Sequence, residues 1–99
     1  MSGLNSVILF GRLSGIPRQT TYNDETTSVF TLTTVTDGEE DVHTCIADGR
    51  FSKKIHDLHV DDFVGVEGVL RTRMLYLKSG RSRKSWFVQV AKIFGSDEQ

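Results

Sequence analysis

The stretch RFSKKIHDLHV, residues 50–60, is the one segment of this chain with a helical period. Phe51, Ile55 and Leu58 stand at i, i+4 and i+7, on one face of a helix, while Lys53, Lys54, His56 and Asp57 fall elsewhere on the wheel. On both sides of it the composition turns to β-branched and aromatic runs bounded by turn residues. SVILFGRL (6–13) ends near Ser14, Gly15 and Pro17. SVFTLTTVT (28–36) follows a polar loop over 22–27 and closes at Asp37-Gly38, and VHTCIAD (42–48) is a short third strand. Beyond the helix, FVGVEGVLRTRMLYL (63–77) reads as a long fourth strand in which Gly65 and Gly68 predict a bend or bulge. Ser79-Gly80 marks a hairpin tip, and SWFVQVAKIF (85–94) returns from it.

A single helix between the third and fourth of five strands is the order of an OB-fold, a Greek-key barrel whose second and third strands and adjoining loops bind oligonucleotides or sugars. The expected fold is therefore an all-β, five-stranded OB barrel with one helix between strands 3 and 4. It is expected as one domain over residues 1–99, with a core from about 5 to 94 and a short polar tail at 95–99; 99 residues suit one compact domain. A single cysteine, Cys45, leaves no internal disulfide. The longest apolar run, Val7 to Phe10, is too short to span a membrane, and residues 1–13 have no basic region ahead of a long apolar stretch. A soluble cytoplasmic protein with no membrane partner is expected.

The formal net charge of -1 conceals a segregation. Between Asp37 and Glu67 lie nine acids against three bases, whereas residues 68–96 contain no acid and carry Arg71, Arg73, Lys78, Arg81, Arg83, Lys84 and Lys92. A bound polyanion responds to local potential rather than to the total, so this block can form a positive surface on a near-neutral chain. Strand alternation refines its placement. With Leu70 and Met74 in the core, Arg71 and Arg73 point outward together. With Val7, Leu9 and Leu13 in the core, Ile8, Phe10 and Arg12 point outward. In the last strand, Val88 and Val90 are expected inside and Trp86 near the rim. The hairpin then projects Lys78, Arg81, Arg83 and Lys84, flanked by Tyr76 and Trp86. Bases that neutralise phosphates beside rings that stack unpaired bases are what a protein tracking a single nucleic-acid strand requires.

The residues also resemble those of the bacterial and phage single-stranded DNA-binding proteins. NSVILFGRL (5–13) with Pro17, VFTLTT (29–34), HTCIADGR (43–50) and VEGVLRTR (66–73) followed by Ser79-Gly80 occur in the family's order and close to its spacing, over residues 5–93. The resemblance implies an OB-fold homodimer or homotetramer that binds single-stranded DNA without strong sequence preference, in replication, recombination or repair, alongside proteins of those processes. It implies strand-facing roles for Arg12, Arg50, Arg71 and Arg73. It departs at the family's stacking positions, which here correspond to Val42, Asp48 and Leu75, so stacking falls to Phe10, Tyr22, Tyr76, Trp86 or Phe87. The family's long tail with its acidic hydrophobic end has no counterpart in GSDEQ, which leaves recruitment through such a tail unexpected. Those last features are similar to PriB, a dimeric adapter of replication restart. An OB domain specialised for RNA is a third reading.

Other groupings imply less. Cys45, His43, His56 and His59 lack the paired spacing of a zinc site. Asp61-Asp62 and the cluster Glu39, Glu40, Asp41 are expected in turns as solvated acids. No nucleophile triad, phosphate loop or nucleotide motif is legible, so neither catalysis nor a cofactor is expected.

Overall fold

The computed structural model describes residues 3–95; Ser96–Gln99, most of the expected tail, lie outside the described residues. The chain forms β1 (Val7–Leu13), β2 (Arg18–Tyr22), β3 (Glu25–Thr36), β4 (Glu39–Asp48), α1 (Arg50–His56), β5 (Phe63–Tyr76) and β6 (Ser82–Phe94). The sheet order is β1-β5-β6-β4-β3-β2, and β1 also pairs β3 where Arg12 and Leu13 face Thr33 and Leu32. That second pairing closes β1, β5, β6, β4 and β3 into a ring: an all-β barrel. Neighbours are antiparallel except β4 and β6, which run parallel through Cys45 opposite Val88 and Ile46 opposite Gln89. No helix among the described residues is long and apolar enough to cross a membrane.

The strand count corrects the expectation of five. β2 is a sixth strand, so the helix falls between the fourth and fifth strands in chain order. RQTTY has no apolar alternation because it is an edge strand, paired to β3 alone and outside the ring. The turn joining it to β3 holds Asn23 and Asp24 at positive φ, a conformation matched to the twist of a two-residue hairpin. Asp37-Gly38 does the same between β3 and β4, with both φ positive. Pairing therefore starts at once, with Thr36 opposite Glu39, and the acids Glu39, Glu40 and Asp41 stand in a strand rather than in a turn. The helix is also shorter than the periodicity predicts, ending at His56, although Leu58 still turns inward through its N–H bond to the Ile55 carbonyl.

The ring encloses Leu13, Phe30, Leu32, Cys45, Ala47, Val64, Val66, Val88 and Val90, and Ile55 and Leu58 close one end. Burying each of the leucine, isoleucine, valine and phenylalanine side chains stabilises the barrel by about 1.5–3 kcal/mol. Ser52 of α1 is fully buried and hydrogen-bonds Ser28 of β3, a polar pin that sets the helix on the barrel. Leu70 and Met74 keep the inward row of β5 but are 40% and 46% exposed, which corrects their assignment to the core. Met74 lies past the end of the ring, on an arm formed by β5 and β6 alone, and Leu70, opposite the ring residue Val88, stands at its root. Asn5 marks where the arm leaves β1: its side-chain amide donates to the Leu70 carbonyl at 2.7 Å and accepts the Leu70 N–H at 2.8 Å.

Cys45 gives the barrel a specific alkaline limit. Burial pushes its thiol up from an ordinary 9.0 to about 12. As pH rises past 9.0 the unfolded chain releases this proton before the folded chain does. The stability fully present below that pH is thus lost between 9.0 and about 12, at about 1.4 kcal/mol per pH unit. Urea unfolding of the protein and of Cys45→Ala over that range should show the steeper decline only where Cys45 is present; equal slopes would refute it.

Candidate nucleic-acid interface

The basic segment lies on the β5–β6 hairpin, and its loop decides which side chains meet. Residues 77–81 form that loop. The Gly80 N–H bonds the Leu77 carbonyl at 3.0 Å and the Leu77 N–H bonds the Arg81 carbonyl at 2.8 Å, with Gly80 at φ 84. Tyr76 consequently faces Ser82, and each earlier pair follows in step. Arg71 faces Phe87, Arg73 faces Ser85 and Leu75 faces Arg83 on one side of the hairpin. Leu70 faces Val88, Thr72 faces Trp86 and Met74 faces Lys84 on the other. Opposed residues share a face, so the hairpin divides the predicted set. Arg71, Arg73 and Arg83 stand on the outer face; Tyr76, Lys84 and Trp86 stand on the reverse. Lys78 and Arg81 are exposed at the tip.

The outer face continues across the barrel. Arg18 of β2 faces Val29, Val29 faces Ile46, Ile46 faces Gln89 and Gln89 faces Val69, one row over five strands. Beside it Thr31 faces Thr44 and Phe87 faces Arg71. The Arg73 guanidinium lies 5.5 Å from the Phe87 ring centroid, a cation–π contact reaching diagonally across the strand pair. A guanidinium plane backed by a ring is itself a surface on which a base can stack. Asp48 borders this face, but its carboxylate accepts hydrogen bonds from Thr27 at 2.9 Å and Gln89 at 3.0 Å, so protein donors absorb much of its charge.

The remaining predicted residues lie apart. Phe10 is 54% exposed and stacks on Phe63, with ring centroids 5.9 Å apart. It faces Gly65, six positions from Arg71 along β5, which is about 20 Å. Arg12 faces Phe63 at the same end, and its Nη1 donates to Asp61 at 2.9 Å. Arg50 opens α1 with its guanidinium over Phe51, beside a concavity it shares with Asp24, Glu25 and Asp57. Trp86 is 61% exposed and lines a separate hollow with Val42, His43 and Leu70, opened where β4 and β6 diverge. His43 there is hydrogen-bonded through Nε2 to Thr34 at 2.8 Å.

One residue of the outer face escapes the sequence reading, and a second is left undistinguished in it. Arg18 belongs to the strand that polar composition conceals. Phe87 is only one of five candidate stacking rings in the sequence; it is half-buried, and its register opposite Arg71 is what singles it out. The outer face thus presents arginines from three strands, β2, β5 and β6, beside an aromatic ring, over a floor of valine, isoleucine and threonine. Neither a protein-family model nor a curated protein matches the chain, so the function must be argued from this geometry.

Proposed function

We propose that this chain is an OB-type barrel that binds single-stranded DNA without sequence preference and without catalysis. The ring order supports the OB assignment. With the edge strand β2 set aside, the first strand pairs the second and fourth, the fifth lies between the third and fourth, and the helix follows the third. The observation that carries the function is the outer face: Arg71 and Arg73 beside Phe87, with Arg18 across the barrel and Arg83 along the hairpin. A strand crossing this face meets cations for its phosphates and a guanidinium–ring stack for its bases. Lys78 and Arg81 extend the positive path to the hairpin tip. Working as a homodimer or homotetramer, such a protein would cover exposed strands during replication, recombination or repair, in the cytoplasm of a bacterial or phage-infected cell.

A second reading is favoured by a different observation. Ile8, Phe10 and Phe63 are exposed on the outward faces of β1 and β5, and Tyr76 and Trp86 are exposed on the reverse of the arm. A PriB-like adapter would use these surfaces for protein contacts. The Arg81→Ala/Arg83→Ala variant separates the two. Single-strand binding predicts weaker affinity for oligo-dT and a log K against log[salt] slope shallower by about 1.4, at roughly 0.7 per lost phosphate contact. Unchanged affinity and slope would favour the adapter.

A further inference from the structure

We infer that Arg18 and Arg73 together form a seat for one phosphate group. They line a single concavity of about 230 Å³ on the outer face, with Ile16, Val29 and Thr44 among its walls and, among the described residues, no carboxylate. The larger concavity beside α1 makes the contrast. There, in about 600 Å³, Arg50 and Lys53 are answered by Asp24, Glu25 and Asp57, so the site neutralises itself. At the Arg18–Arg73 site two like charges border one small space with no acid lining it among the described residues, an arrangement that an anion relieves.

A second observation points the same way. The Arg73 Nε is buried and has no hydrogen-bond partner among the described residues. A buried donor without an acceptor is unfavourable, and Nε–H lies on an edge of the guanidinium fork that binds phosphate oxygens in pairs. The apolar walls strengthen the interaction by lowering the local dielectric. The space suits a phosphate and the sugar atoms next to it. On this view β2 exists to bring Arg18, through its register with Val29, onto the face that the ring supplies. An arginine placed there merely to block edge-to-edge pairing would have no effect on Arg73.

That the phosphate is an internal phosphodiester rests on the single-strand reading; a free or terminal phosphate offers the same chemistry. The test is 15N NMR of the arginine Nε–Hε groups in the full chain, titrated with inorganic phosphate against sodium chloride at matched ionic strength. Oligo-dT titrations of the protein and of Arg18→Gln accompany it. Arg18 is exposed on an edge strand, so Arg18→Gln leaves the core intact. Phosphate, and not chloride, should shift the Arg73 Nε–Hε resonance in the protein but not in Arg18→Gln, and the variant's salt slope should be shallower by about 0.7. An Arg73 resonance unmoved by phosphate and by oligo-dT would overturn the seat. So would an oligo-dT slope identical in the protein and the variant, while leaving single-strand binding in place. A phosphate response without any oligo-dT binding would uphold the seat, assign it to a free or terminal phosphate, and remove the single-strand reading.

Discussion

Gly68→Ala is expected to cost at least about 4 kcal/mol, a large share of the stability of a small domain. A Cβ at this position would lie 2.0 Å from the Gln89 carbonyl oxygen and 2.9 Å from its carbon. Both are backbone atoms of β6, held at the place where the β5–β6 register shifts between Glu67 and Gly68. Relief requires the two strands to separate, which opens the ring beside Val66, Val88 and Val90. Gly65→Ala is the control. Its Cβ would meet the Phe94 ring at 2.3 Å, but that ring is a half-buried side chain that can swing aside. A cost of about 1 kcal/mol is expected there. Urea unfolding of the two variants should rank them in this order; equal costs would mean that the bulge is not where the barrel is most tightly constrained.

The Arg71→Ala/Arg73→Ala variant is expected to weaken oligo-dT binding by roughly tenfold to a hundredfold near 0.1 M salt, with a slope shallower by about 1.4. Both side chains leave the outer face and lie beyond the buried core, so the barrel should remain folded. Trp86→Leu, on the reverse of the same hairpin, is expected to change affinity by less than about threefold. Fluorescence anisotropy of labelled oligo-dT measures both variants. If Trp86→Leu proved the more damaging, the strand would run along the reverse face, over the hollow between Val42 and Leu70.

The contrast between these faces shows how far the residues alone could be read. Alternation placed Val88 and Val90 inside and Arg71 and Arg73 outside, because a half-buried strand must alternate. It could not say which residues of β6 stand beside the arginines. A two-residue turn at Ser79-Gly80 would set Trp86 opposite Arg73. The five-residue loop 77–81 sets Ser85 there and brings Phe87 opposite Arg71. A shift of one residue in register thus exchanges the exposed indole for the half-buried ring, and the hydrogen bonds of Leu77 and Gly80 decide it.

Other differences have equally local causes. Phe51, Ile55 and Leu58 announced the helix because a closing plug needs one apolar face. RQTTY was silent because an edge strand outside the ring needs none. The arginines were visible as residues, but their partners were not. Arg12 is engaged by Asp61, and Arg50 shares its concavity with three acids. Asp61 is far from Arg12 in the chain, as Asp24 and Glu25 are from Arg50, and only Asp57 is near. Arg18 acquires its place on the outer face only through its register with Val29.

The measurement that tests the central claim most directly is the binding of labelled oligo-dT from low to high salt, with duplex DNA of the same length as competitor. Four outer-face arginines and the hairpin tip predict tight binding at low salt, a log K against log[salt] slope steeper than about -2, and little displacement by duplex. Absence of binding at low salt, or a slope near zero, would contradict it.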